Sequence, residues 1–164
     1  MNVIVSAMDS ADLTAWMTMR AMLWPDTTQD LHRKELEAFL QRGNFWGLLA
    51  ETPNGDAAGF AEVAIRDYAN GCVSRPVAFL EGIWVKPQLR RQGIGAQLLK
   101  ATEAFLIVRG ISELGSDALI DNQELHSAHR AWGFSETERV VYFRKSLEPV
   151  SVAEPKVREA PRLK

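Results

Sequence analysis

An apolar run at residues 77–85 is followed by a basic loop containing two glycines and then by a helical pattern, and this succession constrains the fold most strongly. Pro87 ends the apolar run, and Gly110 ends the helix predicted over residues 97–108, before another strand predicted over 111–118. A strand, a helix and a strand in this order form a crossover unit, which is right-handed when the strands are parallel. The sequence therefore predicts an α/β domain built around a sheet.

The segments around this unit predict more strands and helices. The turn Pro53-Asn54-Gly55-Asp56 separates two apolar segments, which is a strong signal for a β-hairpin. The elements predicted from apolar spacing are a strand at 3–5, a helix that ends before Pro25, a helix at 31–40, strands at 46–51 and 57–66, a helix at 122–132 and a strand at 139–145.

Length and composition predict one domain with a real core. The chain has 164 residues, of which 46% are hydrophobic, and two full domains would be cramped in that length. We place the domain at residues 1–147. Residues 148–164 contain three prolines and charges of both signs, so we expect a mobile C-terminal extension there.

Charge and cysteine content exclude several classes of function. A net charge of -2 argues against binding to nucleic acid or to an anionic membrane, and suits a cationic small substrate better. A single cysteine, Cys72, excludes an intrachain disulfide framework and a multi-thiolate metal site, and no other metal site is predicted. The N-terminus lacks the pattern of a secretion signal. These features suit a protein of the reducing cytoplasm.

The loop Arg90-Arg91-Gln92-Gly93-Ile94-Gly95-Ala96 is a candidate phosphate cradle. Glycine lets backbone N–H groups approach an anion, and the N-terminus of the following helix carries roughly half a positive charge. A dinucleotide site would require a third glycine where Leu98 stands, and the lysine of a P-loop is absent. A simple strand-to-helix connection, with glycines serving its geometry alone, is the remaining alternative.

The pattern Arg90-x-x-Gly93-x-Gly95 resembles the acetyl-coenzyme A pyrophosphate loop of the GNAT superfamily of N-acetyltransferases. Asn122 and the pair Gly133-Phe134 stand at matching places, and the resemblance covers about residues 3–147. It implies a central mixed, mostly antiparallel sheet that is opened between strands 4 and 5 and flanked by helices on both faces. It also implies acetyl-CoA as co-substrate and a homodimer. The implied cofactor-binding residues are Ile83, Trp84, Val85, Arg90, Arg91, Gln92, Gly93, Ile94, Gly95, Ala96 and Asn122.

Four further segments are similar to aminoglycoside 6′-N-acetyltransferases. They are Leu23-Trp24-Pro25, residues 67–72, residues 79–83 and residues 136–140. This resemblance implies transfer of acetyl to a 6′-amine of an aminoglycoside antibiotic, and hence resistance to the drug. The acceptor-site residues that it implies are Trp24, Tyr68, Glu81, Asp117 and Glu138.

Two of these carboxylates are also singled out by their positions. Strict alternation along the strand would place Glu81 on one face with Phe79, Ile83 and Val85, where a carboxylate is costly unless it is paired or functional. Asp117 is predicted at the C-terminal end of a strand, where α/β sheets usually bind ligands. The alternatives are a Glu81 that simply reaches water and an ordinary exposed aspartate at position 117.

These residues suggest direct transfer through a ternary complex. Asp117 or Glu81 would remove a proton from the substrate ammonium, because an amine is a nucleophile only when neutral. His129 stands where many family members have a tyrosine acid; it is a candidate acid for the leaving thiolate or a residue that merely packs. The competing hypotheses are an acetyltransferase for another amine, such as a polyamine or an amino acid, and a non-catalytic CoA-binding sensor.

Overall fold

The computed structural model describes residues 1–146, which contain a five-stranded sheet of order β1-β2-β3-β4-β5. The strands are β1 Ile4–Ala7, β2 Phe45–Glu51, β3 Ala57–Arg66, β4 Val77–Val85 and β5 Leu114–Gly115. The α-helices within these residues are α1 Leu13–Leu23, α2 Gln29–Leu40, α3 Ile94–Ile107 and α4 Gln123–Ala131.

The first four strands form an antiparallel meander, and β5 joins β4 in parallel. The hairpin between β2 and β3 turns at Gly55, whose φ of 83° is a left-handed conformation that glycine adopts without strain. The predicted bounds of β3 and β4 are confirmed. The sheet is thus mixed and mostly antiparallel, as the resemblance implied.

Helices cover both faces of the sheet, because alternate strand residues are apolar on each side. On one face, Leu98, Leu99 and Leu106 of α3 pack against strand residues that include Ala61 and Leu80. On the other face, Trp16 and Met19 of α1 and Leu36 of α2 pack against Leu49 and Phe60. The domain therefore has three layers, with the central hairpins buried on both faces.

The sheet opens after the first residues of β4. Only Ala78 and Phe79 pair with β5, at Leu114 and Gly115, so the strand predicted over 111–118 is much shorter than expected. Within residues 1–146, the edge of β4 from residue 80 to 85 has no strand partner on that side. This opening is the one that the resemblance implied.

The strand predicted over 139–145 is wrong for the described chain, which contains no regular structure there. A strand requires a neighbouring edge to pair with, and β5 offers only two residues. Val141, Tyr142 and Phe143 are instead 78%, 75% and 93% exposed. The extension predicted at 148–164 lies outside the described residues. No helix within residues 1–146 is both long and apolar enough to cross a membrane.

Candidate functional site

A β-bulge at Glu81 reverses the two sides of β4. Glu62 of β3 pairs with Gly82 while Val63 pairs with Leu80, so Glu81 is the extra residue. Before the bulge, Phe79 packs on one face; beyond it, Ile83 and Val85 pack on the opposite face, against α3. The predicted alternation of Glu81 with Phe79, Ile83 and Val85 is therefore wrong beyond Glu81, because a bulge shifts the side-chain period by one residue.

Glu81 is paired with Arg66, the last residue of β3. Nε of Arg66 donates to Oε1 of Glu81 at 3.0 Å, and Nη2 donates to Oε2 at 2.7 Å. The guanidinium lies 3.7 Å from the centre of the Phe79 ring. The cost of placing a carboxylate on this face is offset by a bidentate, charge-assisted contact.

Trp24 follows α1 and lies directly on the strand at Gly82. A Cβ atom at Gly82 would stand 2.6 Å from the Trp24 ring, so only glycine leaves room for this contact. The Arg20 guanidinium lies 4.9 Å from the centre of the same ring. Buried His32 has its Nε2 at 3.2 Å from the Trp24 carbonyl oxygen, to which it donates. Trp24 is therefore held from three sides.

A buried polar network lies beneath Trp24. Nε1 of Trp16 donates to Oε1 of Glu62 at 2.6 Å, and Nε of Arg20 lies 2.9 Å from the same oxygen. Arg20 also donates through Nη1 to Glu35 at 3.0 Å. Burial raises the pKa of Glu62 from 4.5 to about 7, despite the opposing effects of Arg20 and of the Trp16 hydrogen bond.

A cavity of about 670 Å³ lies beside this part of the sheet. Four of the predicted site residues line it, namely Tyr68, Asp117, His129 and Glu138, and Arg66 and Phe79 contribute to the same wall. Trp24 and Glu81 are not among its lining residues. The structure thus brings together four side chains from four separate segments of the chain, and Asp117, Glu138 and the 59%-exposed Tyr68 are open to solvent.

His129 is held by hydrogen bonds on both ring nitrogens. Nδ1 lies 2.8 Å from the Leu125 carbonyl oxygen and must donate to it, while Nε2 lies 2.9 Å from Oγ of Ser116. In the neutral tautomer, Nε2 therefore accepts from the Ser116 hydroxyl. An acid role for His129 requires the imidazolium form, in which Nε2 carries a proton.

The loop that carries Tyr68 is tied down by Glu113. Oε2 of Glu113 accepts from the Val73 and Ser74 N–H groups at 2.9 and 2.7 Å, and from the Ser74 hydroxyl at 2.7 Å. These hydrogen bonds, chiefly those from Ser74, hold the pKa of Glu113 below its usual range. The tether fixes the end of the loop at the start of β5.

The glycine loop enters α3 through left-handed backbone at Arg91 and Gly93, with φ of 61° and 81°. Gln97 donates the hydrogen bond that closes the first turn onto the Gly93 carbonyl, so the preceding N–H groups of the helix have no partner within it. A Cβ at Gly95 would stand 2.9 Å from the Trp132 ring. The arrangement offers N–H groups and positive helix charge to an anion.

The remaining predicted cofactor residues lie along β4 and before α4. Trp84 packs its side chain into the core beneath α1, so it presents only its backbone at the open edge. Arg90 donates through Nε to the Val85 carbonyl at 3.1 Å, which joins the loop to the strand. Oδ1 of Asn122 accepts from the Leu125 N–H at 3.0 Å and caps α4.

Arg66, Phe79 and Ser116 were missed by sequence reasoning. The sequence signal for Arg66 was its place at the end of β3, the strand that pairs with the apolar strand β4, which carries the carboxylate of Glu81. Ser116 stands beside Asp117 in the sequence, but its hydrogen bond to His129 spans 13 residues and depends on the path between them.

The family described as "Acetyltransferase (GNAT) family" matches residues 13–134. An aminoglycoside N(6′)-acetyltransferase type 1 of Stenotrophomonas maltophilia is 47% identical over 140 residues, covering 85% of this chain and 90% of that protein. The enzyme of the same name from Serratia marcescens is 44% identical over 140 residues, covering 85% and 96%.

Solved structures agree in fold over most of the chain. The aminoglycoside antibiotic 6′-N-acetyltransferase of Acinetobacter baumannii has a TM-score of 0.83 and 39% identity, covering 90% of this chain and 100% of its own. A 6′-N-acetyltransferase in complex with a bisubstrate analogue, CoA-S-monomethyl-acetylneamine, has a TM-score of 0.85 and 37% identity, covering 90% and 100%.

Proposed function

Because the chain belongs to the acetyltransferase (GNAT) family, we propose that it transfers the acetyl group of acetyl-CoA to the 6′-amine of aminoglycoside antibiotics and so confers resistance. The observation that carries this function is the 47% sequence identity to an aminoglycoside N(6′)-acetyltransferase, in an alignment that covers 90% of that protein. The described geometry supports it with an anion cradle at the start of α3 and with a cavity whose lining includes the carboxylates of Asp117 and Glu138.

Acetyl-CoA fits the loop and the free edge of β4. The pyrophosphate requires convergent N–H donors, which the start of α3 offers beside Gly93 and Gly95, with Arg90 and Arg91 adding positive charge. The pantetheine arm requires an extended partner, and the β4 edge from residue 80 to 85 has none within residues 1–146. When bound, acetyl-CoA supplies an activated thioester. Within this scheme Ile83, Trp84 and Val85 contribute backbone groups, and Asn122 orients α4.

The acceptor occupies the cavity in this proposal. Asp117 and Glu138 present carboxylates to it, and an aminoglycoside carries several ammonium groups that form charge-assisted hydrogen bonds with such carboxylates. Tyr68 offers an aromatic face at the rim, and Trp24 supports the strand next to Glu81 from below.

Asp117 is the stronger candidate for the general base. Both oxygens of Glu81 accept hydrogen bonds from Arg66, whereas Asp117 is exposed on the cavity wall. Asp117 removes a proton from the 6′-ammonium, and the freed amine attacks the thioester directly, without an enzyme nucleophile. A backbone N–H at the open edge of β4 stabilises the developing oxyanion. Protonated His129 then delivers its Nε2 proton to the leaving thiolate, and the second proton of the attacking nitrogen passes to solvent as the amide forms.

We also propose that the enzyme is a homodimer of the cytoplasm. Val141, Tyr142 and Phe143 form an exposed apolar segment without a strand partner among residues 1–146, which a second copy would cover. A chain with a single cysteine suits a reducing compartment. Light scattering coupled to size exclusion tests the dimer, and a monomer at micromolar concentration would contradict it.

The function is tested by thiol release from acetyl-CoA. We expect release with kanamycin-type drugs that carry a 6′-amine and none with analogues that carry a 6′-hydroxyl. Release with spermidine and not with the 6′-amine drugs would instead indicate a polyamine acetyltransferase. CoA binding without release on any amine would indicate a sensor.

A further inference from the structure

Arg66 covers Glu81 on the side of the cavity. Arg66 lines the cavity and Glu81 does not, although the two side chains are joined by two hydrogen bonds of 3.0 and 2.7 Å. The guanidinium also lies 3.7 Å from the centre of the Phe79 ring, and Phe79 lines the cavity as well. A carboxylate and an aromatic face thus form one cation-binding subsite, which a side chain of the protein fills.

The same subsite suits an ammonium group of the substrate. A primary ammonium and a guanidinium both donate charge-assisted hydrogen bonds to a carboxylate, and both bind over aromatic faces. The subsite opens toward the space where a polycationic substrate is expected. Two cations cannot share one edge of one carboxylate, so the substrate competes with Arg66 for Glu81.

We propose that Arg66 is a built-in competitor for an ammonium group of the aminoglycoside, and that drug binding requires its release from Glu81. This inference rests on the proposed function for the identity of the cation. The side chains of Arg66 and Glu81 are 40% and 25% exposed, and partly exposed ion pairs contribute little net stability, so release is feasible. The competitor also keeps Glu81 paired when no substrate is bound.

The first test compares drug affinity in Arg66→Gln, Arg66→Lys and Arg130→Gln. Arg130→Gln is the matched control, because Arg130 lines the same cavity but bonds only to the Ser127 hydroxyl among the described residues. By calorimetry at low salt, we expect Arg66→Gln to lower the drug Kd by about 3- to 10-fold, equivalent to about 0.7–1.4 kcal/mol. Arg66→Lys keeps a cation and should stay near the wild-type Kd. Arg130→Gln should change the Kd by less than about twofold, because it uncovers no carboxylate.

The outcome that overturns the inference is an unchanged or higher drug Kd in Arg66→Gln, relative to Arg130→Gln, in protein that retains its circular dichroism spectrum. An equal decrease in Arg66→Gln and Arg130→Gln overturns it too, because that result indicates only the removal of one positive charge. Turnover of 6′-amine drugs by the wild type decides the proposed function separately, since it does not depend on the ratio of these Kd values.

A second measurement uses the unmodified enzyme and does not depend on how a variant folds. The Nε–H resonance of Arg66 is followed by nuclear magnetic resonance while the drug is added. Release from Glu81 should move this resonance toward the position of a solvated guanidinium, and CoA alone should leave it in place. A resonance that stays unchanged at saturating drug overturns the inference.

Discussion

On the side of α3, the proposed acetyl-CoA site, here called the donor side, consists of backbone. It has N–H groups and left-handed residues in the loop, and residues 80–85 of β4 have a free edge within residues 1–146. On the side of the cavity, the proposed acceptor site, here called the acceptor side, consists of side chains carried by loops, such as Tyr68, Asp117 and Glu138. Backbone geometry is fixed once the strand and the helix pack, whereas exposed side chains exchange partners. The donor side should therefore respond to changes in shape, and the acceptor side to changes in charge.

The largest effect is expected for Asp117→Asn, which removes a charge and a base while it keeps the shape of the side chain. We expect kcat to fall by about 10²- to 10⁴-fold, because proton removal from the ammonium loses its acceptor. The affinity for CoA should not change, as measured by calorimetry. A normal kcat would remove Asp117 from the base role, and a parallel loss of CoA affinity would break the separation of the two sides.

The next-largest effect concerns the stability of the fold, through Glu62 of the buried network beneath Trp24. The pKa of Glu62 is raised to about 7 in the fold, so the native state binds this proton more tightly than the unfolded chain, whose value is near 4.5. The stability that Glu62 contributes is present below its pKa in the unfolded chain and is lost as pH rises through its pKa in the folded protein. The free energy of unfolding should therefore decrease by about 2 kcal/mol between pH 5 and 7.

Glu62→Gln provides the control for that pH dependence. The amide oxygen can still accept from Trp16, but the side chain no longer titrates, so the decrease in unfolding free energy between pH 5 and 7 should disappear. Urea titrations at pH 5 and 7, monitored by tryptophan fluorescence, measure this difference in the free energy of unfolding. An identical slope in wild type and variant would assign the pH dependence to another group.

A smaller effect is expected on the donor side from Gly95→Ala. The new Cβ would stand 2.9 Å from the Trp132 ring, so the loop or the ring must shift. We expect the KM for acetyl-CoA to rise about tenfold, equivalent to about 1.4 kcal/mol, while drug affinity is unchanged. Gly43→Ala is the matched control, since a Cβ there meets nothing within 4 Å. Equal losses for both substrates would contradict the comparison.

The smallest effect is expected from Glu113→Gln, which weakens the tether of the Tyr68 loop without touching the cavity. Because hydrogen bonds lower the pKa of Glu113, its contribution is present above the unfolded pKa of about 4.5 and is lost as pH falls through the folded value. In the wild type, protection of the Val73 and Ser74 amides, relative to their intrinsic exchange rates, should fall only in acid. In the variant, protection should already be reduced at pH 7; unchanged protection would show that the loop is held elsewhere.

The donor side could be predicted from sequence because its signals are local. Glycines, arginines, an apolar strand and a helical pattern follow one another within residues 77–108, and the bounds of β3 and β4 came from apolar runs and the turn residues that flank them. The fold class followed from the same units.

The acceptor side could be predicted only as a set of residue types. The bulge at Glu81 changes the faces of β4, and Gly82 beside it indicates that a bulge can form there without showing which residue is the extra one. The pairing of Glu81 with Arg66 depends on the register between two strands. The segment at 139–145 has an apolar strand pattern, but it pairs with no strand edge within the described chain. In each of these cases, the observed structure depends on residues that are distant in the sequence. The predicted roles of the individual site residues remain predictions.

The bulge makes the number of residues in β4 as important as their identity. Up to Glu81 the odd-numbered positions face the loop that carries Tyr68, and beyond it the odd-numbered positions face α3. A chimera or deletion that removes one residue between 79 and 82 would restore a regular pleat, and would then point one half of the strand the wrong way. Exchanges of this strand between relatives should therefore preserve its length first.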